Sequence, residues 1–182
     1  MDNKWPDPRF RELSPELLAS ISSEEIGPAV VQHVHLLRLA SGHDELSAVG
    51  GLPRGIQAIY ATWTVDAEVL NGGFNQFFYN PHAALAGEAL TGYELLGAED
   101  YAEVMRAAIA TYESERYQLR PFHDQGTLEA FSESYKHTDL NSIDERYYAL
   151  GDRIYEVWAT NVRARPELFR VGSADGPPNE EL

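Results

Sequence analysis

Thirteen residues from Glu68 to Asn80, Glu-Val-Leu-Asn-Gly-Gly-Phe-Asn-Gln-Phe-Phe-Tyr-Asn, constrain the fold of this 182-residue chain more than any other stretch. Phe74, Phe77, Phe78 and Tyr79 bring enough apolar surface to demand burial. Between them and the preceding helical pattern, Gly72-Gly73 frees the backbone to take φ > 0 and lets another segment approach closely. Asn71, Gln76 and Asn80 both donate and accept, so they can satisfy backbone groups opened by a break between helices. Two readings follow. One is a structural corner with buried aromatics and capping amides; the other is a polar pocket beside Glu68 that holds a small ligand.

The rest of the chain reads as helix. Ser14-Pro15-Glu16 supplies an N-cap, a first-turn proline and an acid for the dipole. Ser22 and Glu25 form a capping-box pattern ahead of a segment reaching Ala40, with Gly27-Pro28 placing an alternative start at Pro28. A loop is expected from Gly42 to Pro53. Ile56, Ile59, Tyr60, Trp63, Ala67 and Leu70 then keep helical spacing up to the glycine pair. Leu85, Ala89, Tyr93 and Leu96 mark the next helix, closed by Gly97. Tyr101, Val104, Met105, Ala108, Ile109 and Tyr112 mark a further one. Arg120-Pro121 opens a looser stretch, and Leu128 to Tyr135 forms a short helix. A second capping box, Ser142 to Glu145, introduces one long helix carrying Ile143, Tyr147, Leu150, Ile154 and Trp158 inward. Pro166 to Phe169 docks as a final turn. No period-2 run and no internal repeat is present, so the expected fold is all-α, a single-domain irregular helical bundle. Residues 1–50 are read as a helical extension packed on the same domain, 51–171 as the helical core and 172–182 as a flexible acidic tail.

Charge limits the partners. Fourteen basic residues against twenty-nine acidic ones give a formal −15, which repels nucleic acid and anionic membranes and attracts basic proteins. No apolar run is long enough to span a bilayer, the N-terminus lacks a secretory pattern, and there is no cysteine. A cytoplasmic protein is the expectation. His33 and His35 point to separate directions on a helix, and His43, His82, His123 and His137 are scattered, so no metal or cofactor is expected. The chain has no nucleophile elbow, phosphate loop or dinucleotide fingerprint, and Glu68 has no partner acid or base within its motif, so no catalytic residue is assigned.

The acids have a more useful geometry. Glu99 with Glu103, Glu129 with Glu133, and Asp152 with Glu156 are i, i+4 pairs, about 5–6 Å apart at Cβ on one helical face. Glu94, Asp100, Glu113 and Glu115 extend the supply. Residues 83–117 hold seven acids and two bases, and residues 123–156 hold eight and three, so each region carries −5. DNA phosphates recur at comparable intervals, with an axial step of about 3.4 Å per strand. Carboxylates on stiff helices therefore offer a DNA-binding protein something close to a phosphate row.

Glu68-Val-x-Asn71-Gly72-Gly73-Phe74-x-Gln76-Phe77-Phe78-x-Asn80 resembles the signature of a bacterial helical family that includes the DNA-mimic protein of the DMP type and otherwise carries a domain-of-unknown-function label. Leu96-Gly97-Ala98 resembles that family's Ile-Gly-Ala turn. Ile143-Asp144-Glu145-Arg146-Tyr147-Tyr148 is similar to its Leu-Asp-x-x-Tyr/Phe-Tyr helix start. Arg165-Pro166-x-x-Phe169 resembles its closing Asn-Pro-x-x-Phe, with Arg165 in place of Asn. The resemblance spans roughly residues 50–170 and implies an all-helical, often homodimeric protein with no known catalysis. It also implies binding to a DNA-binding protein, with the signature residues and Asp144 marking fold rather than the mimic surface. The expected partner is a basic transcription regulator or nucleoid protein, gripped through Glu94, Glu99, Asp100, Glu103, Glu113, Glu115, Glu129, Glu133, Asp152 and Glu156. The alternatives are an immunity-type inhibitor of a basic toxin or nuclease, and the ligand pocket at the glycine pair.

Overall fold

The computed structural model describes residues 6–170. Met1 to Trp5, and the acidic tail expected from Gly172, lie outside them. The described residues form nine α-helices and no strand: α1 Pro15–Ser20, α2 Ser23–Ser41, α3 Glu45–Gly50, α4 Arg54–Tyr79, α5 Ala86–Leu95, α6 Glu99–Gln125, α7 Leu128–Ser134, α8 Asn141–Tyr148 and α9 Arg153–Ala164. Short 3-10 turns at Pro8–Arg11, Pro81–Leu85, Tyr135–His137 and Pro166–Phe169 join or extend them.

Helix α4 is the axis. Its first half buries residues on every side, from Gly55, Ile56 and Ile59 to Thr62, Val65 and Asp66, as a helix surrounded by others must. It packs against α2, α3, α5, α6 and α8, and the turn after α9 closes one end. Buried hydroxyls on such a helix need partners, and they find them locally: Thr62 Oγ1 donates to Ala58 O at 2.8 Å and Thr64 Oγ1 to Tyr60 O at 2.9 Å. Thr62 also accepts the indole N–H of Trp158 at 3.1 Å, tying α9 to the axis. Ile154, Trp158 and Val162 of α9 join Ile26, Val30 and Val34 of α2 in the same core. Among the described residues before 51, α1 and α2 both pack directly on α9.

Several boundaries differ from the sequence reading. Helix α2 starts at Ser23, where the Glu25 carboxylate accepts the Ser22 N–H at 3.2 Å, so Pro28 lies inside the helix rather than at its start. The loop expected between Gly42 and Pro53 contains α3, begun by Asp44, whose Oδ1 accepts the Ser47 N–H at 3.0 Å. Pro121 does not loosen α6; the helix runs on to Gln125. The carbonyl left without its amide belongs to Tyr117, which is 74% exposed, so water can serve it. The long helix expected from Ser142 is two. Gly151, at φ 62, ends the first, and Tyr101 Oη donates to Gly151 O at 2.7 Å while accepting Ile154 N–H at 3.1 Å. The capping box there is not formed: α8 begins at Asn141, and Ser142 Oγ donates to Asp139 O at 2.9 Å.

Candidate functional site

The glycine pair breaks α4 internally. Gly72 sits at φ −159, ψ 27 and Gly73 at φ 71, ψ 179, after which the helix restarts at Phe74. A restart exposes new N–H donors, and one is met from far away: Asp144 Oδ1 on α8 accepts the Phe74 N–H at 2.7 Å. A Cβ built on Gly73 would lie 2.2 Å from Asp144 Oδ2, so only glycine leaves room for this cap. Carbonyls at the kink are taken by tyrosines, Tyr135 Oη donating to Gly72 O at 2.6 Å and Tyr148 Oη to Val69 O at 3.0 Å. Burial pushes the Asp144 carboxyl up from its ordinary range, and the Phe74 N–H bond opposes that shift. Phe74, Phe77 and Phe78 are buried, with Phe78 stacked on Tyr112 of α6 at 4.3 Å.

The amides do not cap the break. Asn71 Nδ2 donates to Gln76 Oε1 at 2.9 Å, Gln76 Nε2 to Glu68 Oε2 at 2.6 Å, and Asn80 Nδ2 to the same oxygen at 2.9 Å. His82 Nδ1 lies 2.6 Å from the other oxygen, Glu68 Oε1. Asn71, Gln76 and Asn80 are thus committed to one another or to Glu68, which speaks against the reading of a ligand held by these three amides. Sequence reasoning had no access to His82 or to Glu45, whose Oε1 faces His82 Nε2 at 3.7 Å. They come from other segments and belong to no motif.

A second buried carboxylate was also missed. Asp66, 6% exposed, accepts from Tyr147 Oη at 3.1 Å and Tyr155 Oη at 3.3 Å, and Tyr93 Oη lies 3.2 Å from Tyr147 Oη. Burial pushes its carboxyl up; the two tyrosine bonds pull it down, and Asp152 pushes it up again. A raised folded-state pKa means the fold favours the protonated acid. The associated stability is fully present below the unfolded pKa, about 3.9, and is lost as pH rises through the folded one. Asp66→Asn should therefore stabilise the chain at pH 7 by roughly 1 kcal/mol, an advantage that disappears in acid. Urea unfolding at both pH values checks this; an Asn variant weaker than wild type at pH 7 would refute it.

The ten acids chosen from the sequence divide evenly. Arg106 lies 2.9 Å from Glu94 and 3.9 Å from Glu99, Arg153 3.1 Å from Asp100, Arg116 3.0 Å from Glu113 and Lys136 2.7 Å from Glu133. Glu115 accepts instead from Thr138 Oγ1 and Asp139 N, at 2.6 and 2.9 Å, and Glu156 from Ser23 Oγ at 2.8 Å. Glu103, Glu129 and Asp152 stand exposed on α6, α7 and the start of α9, with no ion pair. Helix α6 carries six acids and three arginines, so its outer face is laced with both signs while staying net negative. Among the described residues no group of His, Asp or Glu is spaced to hold a metal ion, and no helix is long and apolar enough to cross a membrane. A family model described as DMP19-like protein matches residues 50–164, which include the glycine corner, α6 and the whole of α9. No curated protein and no solved structure matches the chain significantly.

Proposed function

The chain belongs to the DMP19-like protein family, and from that premise we propose that it is a non-enzymatic acidic protein that occupies the DNA-contacting surface of a basic DNA-binding protein and keeps it off DNA. The partner class is a transcription regulator or a nucleoid protein. One observation carries the reading: the chain has a formal charge of −15, and Glu103, Glu129 and Asp152 stand bare on its helical body. At about 1.5 Å per residue, the twenty-seven residues of α6 span about 40 Å, comparable with the roughly 34–36 Å of one DNA turn.

The arginines interleaved on that face do not remove its attraction for a basic protein. Their pairs are exposed and weakly held; Arg106 is shared between two acids, and its side chain is 50% exposed. A partner's Arg or Lys can exchange for them with little loss. Such an interface would be steered by the long-range field and would weaken with salt.

The test is displacement. Purified helix-turn-helix regulators and nucleoid proteins, each bound to labelled DNA, are titrated with this chain in a mobility-shift assay. The expected result is release of DNA from at least one of them, with affinity falling steeply between about 50 and 200 mM salt. Joint reversal of two bare acids, Glu103→Lys with Glu129→Lys, should weaken binding about tenfold and flatten its salt dependence. Affinity indifferent to salt and to these reversals would overturn the reading. Capture of a basic nuclease with no DNA-binding regulator released would move the assignment to an inhibitor of that enzyme.

A further inference from the structure

We infer that His82 is a proton-operated clasp that fastens α3 to the glycine corner beside a partly open cavity. The imidazole projects from the Pro81–Leu85 turn with a carboxylate at each ring nitrogen: Glu68 Oε1 at 2.6 Å from Nδ1, and Glu45 Oε1 at 3.7 Å from Nε2. Glu68 is fixed. Its side chain is 11% exposed and its second oxygen accepts from Gln76 and Asn80. Glu45 is held less tightly; its other partners are Arg38 of α2 at 3.3 Å, on a half-exposed side chain, and the hydroxyl of Tyr60 on α4.

Helix α3 is the element able to move. It is six residues long and buries only Ala48 and Val49. Behind it lies a cavity of about 240 Å³ whose walls include His35, Arg38, Tyr60, Trp63, Glu68 and His82. With so little apolar anchorage, α3 belongs to the part of the fold that opens locally, and one ion pair is a sizeable share of what holds it.

Imidazole chemistry sets the direction. When protonated, His82 carries an N–H at both nitrogens, donating one to Glu68 and setting its charge against Glu45. When neutral it keeps one N–H, which the shorter contact assigns to Nδ1 and Glu68. The lone pair then left on Nε2 faces the Glu45 carboxylate and repels it. The groups around the ring pull in both directions. Glu68 and the hydroxyl of Tyr60 come from α4, Glu45 from α3 and Asp44 from just before it, and Arg38 and His35 from α2. Three of these groups are carboxylates and one, Arg38, is a cation. With the ring neutral, Glu45 keeps Arg38 and the Tyr60 hydroxyl but loses its tie to His82, and α3 loosens.

Backbone amide exchange tests the clasp in the full-length chain, with rates corrected for the intrinsic pH dependence. Protection of residues 45–50 should fall about twofold to fivefold between pH 5 and pH 8, the scale of one partly exposed ion pair, while α9 stays unchanged. In Glu45→Gln, a change at a partly exposed side chain that keeps the fold, protection should be low and level across that interval. His82→Asn should behave alike. A flat profile in the wild type overturns the proposal, and so does a pH dependence that survives in either variant.

Discussion

Gly73→Ala loses about 3–5 kcal/mol of stability, enough to leave a domain of this size largely unfolded at 37 °C. Two independent costs add. A side chain at φ 71 with ψ 179 occupies a region essentially reserved for glycine, which alone costs about 1–3 kcal/mol. The new Cβ would also stand 2.2 Å from Asp144 Oδ2, so the carboxylate must retreat and leave the buried Phe74 N–H without its acceptor. The second cost is shared with Asp144→Ala, which removes the acceptor and the obstacle together. The double variant should therefore fall short of the sum of the singles by about 1 kcal/mol or more. Urea unfolding of the four proteins measures it; strict additivity would show that the cap and the glycine act separately.

Trp158→Ala is the other change of comparable size, at about 3–5 kcal/mol. Trp158 is fully buried where α9 meets α4 and α2, and its indole N–H reaches Thr62 Oγ1 at 3.1 Å. Truncation leaves a cavity where α9 packs against α4 and α2. Trp158→Phe separates the parts: it keeps most of the volume and drops the hydrogen bond, so it should cost about 1–2 kcal/mol. Thermal unfolding of both variants checks the order. A Phe variant as unstable as the Ala one would place the weight on the hydrogen bond rather than on packing.

Much of the architecture was legible because local signals and burial agree. Ile56, Ile59 and Tyr60 are buried on α4 as their spacing predicts, though Ala67 and Leu70 of the same pattern are exposed; Ser14 and the Ser22–Glu25 box start α1 and α2, and Gly42, at φ 70, closes α2. The misreadings share one cause, which is tertiary contact overriding a local pattern. Pro121 reads as a breaker, yet its lost hydrogen bond falls on a solvent-facing carbonyl and α6 continues. Ser142 to Trp158 keeps a single helical period, yet Tyr101 reaches in from α6 and splits it at Gly151. The corner itself was announced by Gly72-Gly73. What caps it was not, because Asp144 lies seventy residues on. The acids were visible as pairs along each helix, whereas the arginines that interleave them came from neighbouring helices in two cases, Arg106 to Glu94 and Arg153 to Asp100.

That seventy-residue span has a consequence for synthesis. Until α8 has emerged, the restart at Phe74 lacks its acceptor, and a contact so distant along the chain carries a loop-closure cost that a local cap avoids. Phe74, Phe77 and Phe78, which end up shut away, must wait through that interval on a nascent chain that has not yet produced Tyr112 to stack on Phe78 or Tyr147 to meet Phe74 edge-on. The glycine corner is thus a late-locking joint, and the growing polypeptide is most prone to sticking to its neighbours between the moment the aromatic cluster is made and the moment Asp144 arrives.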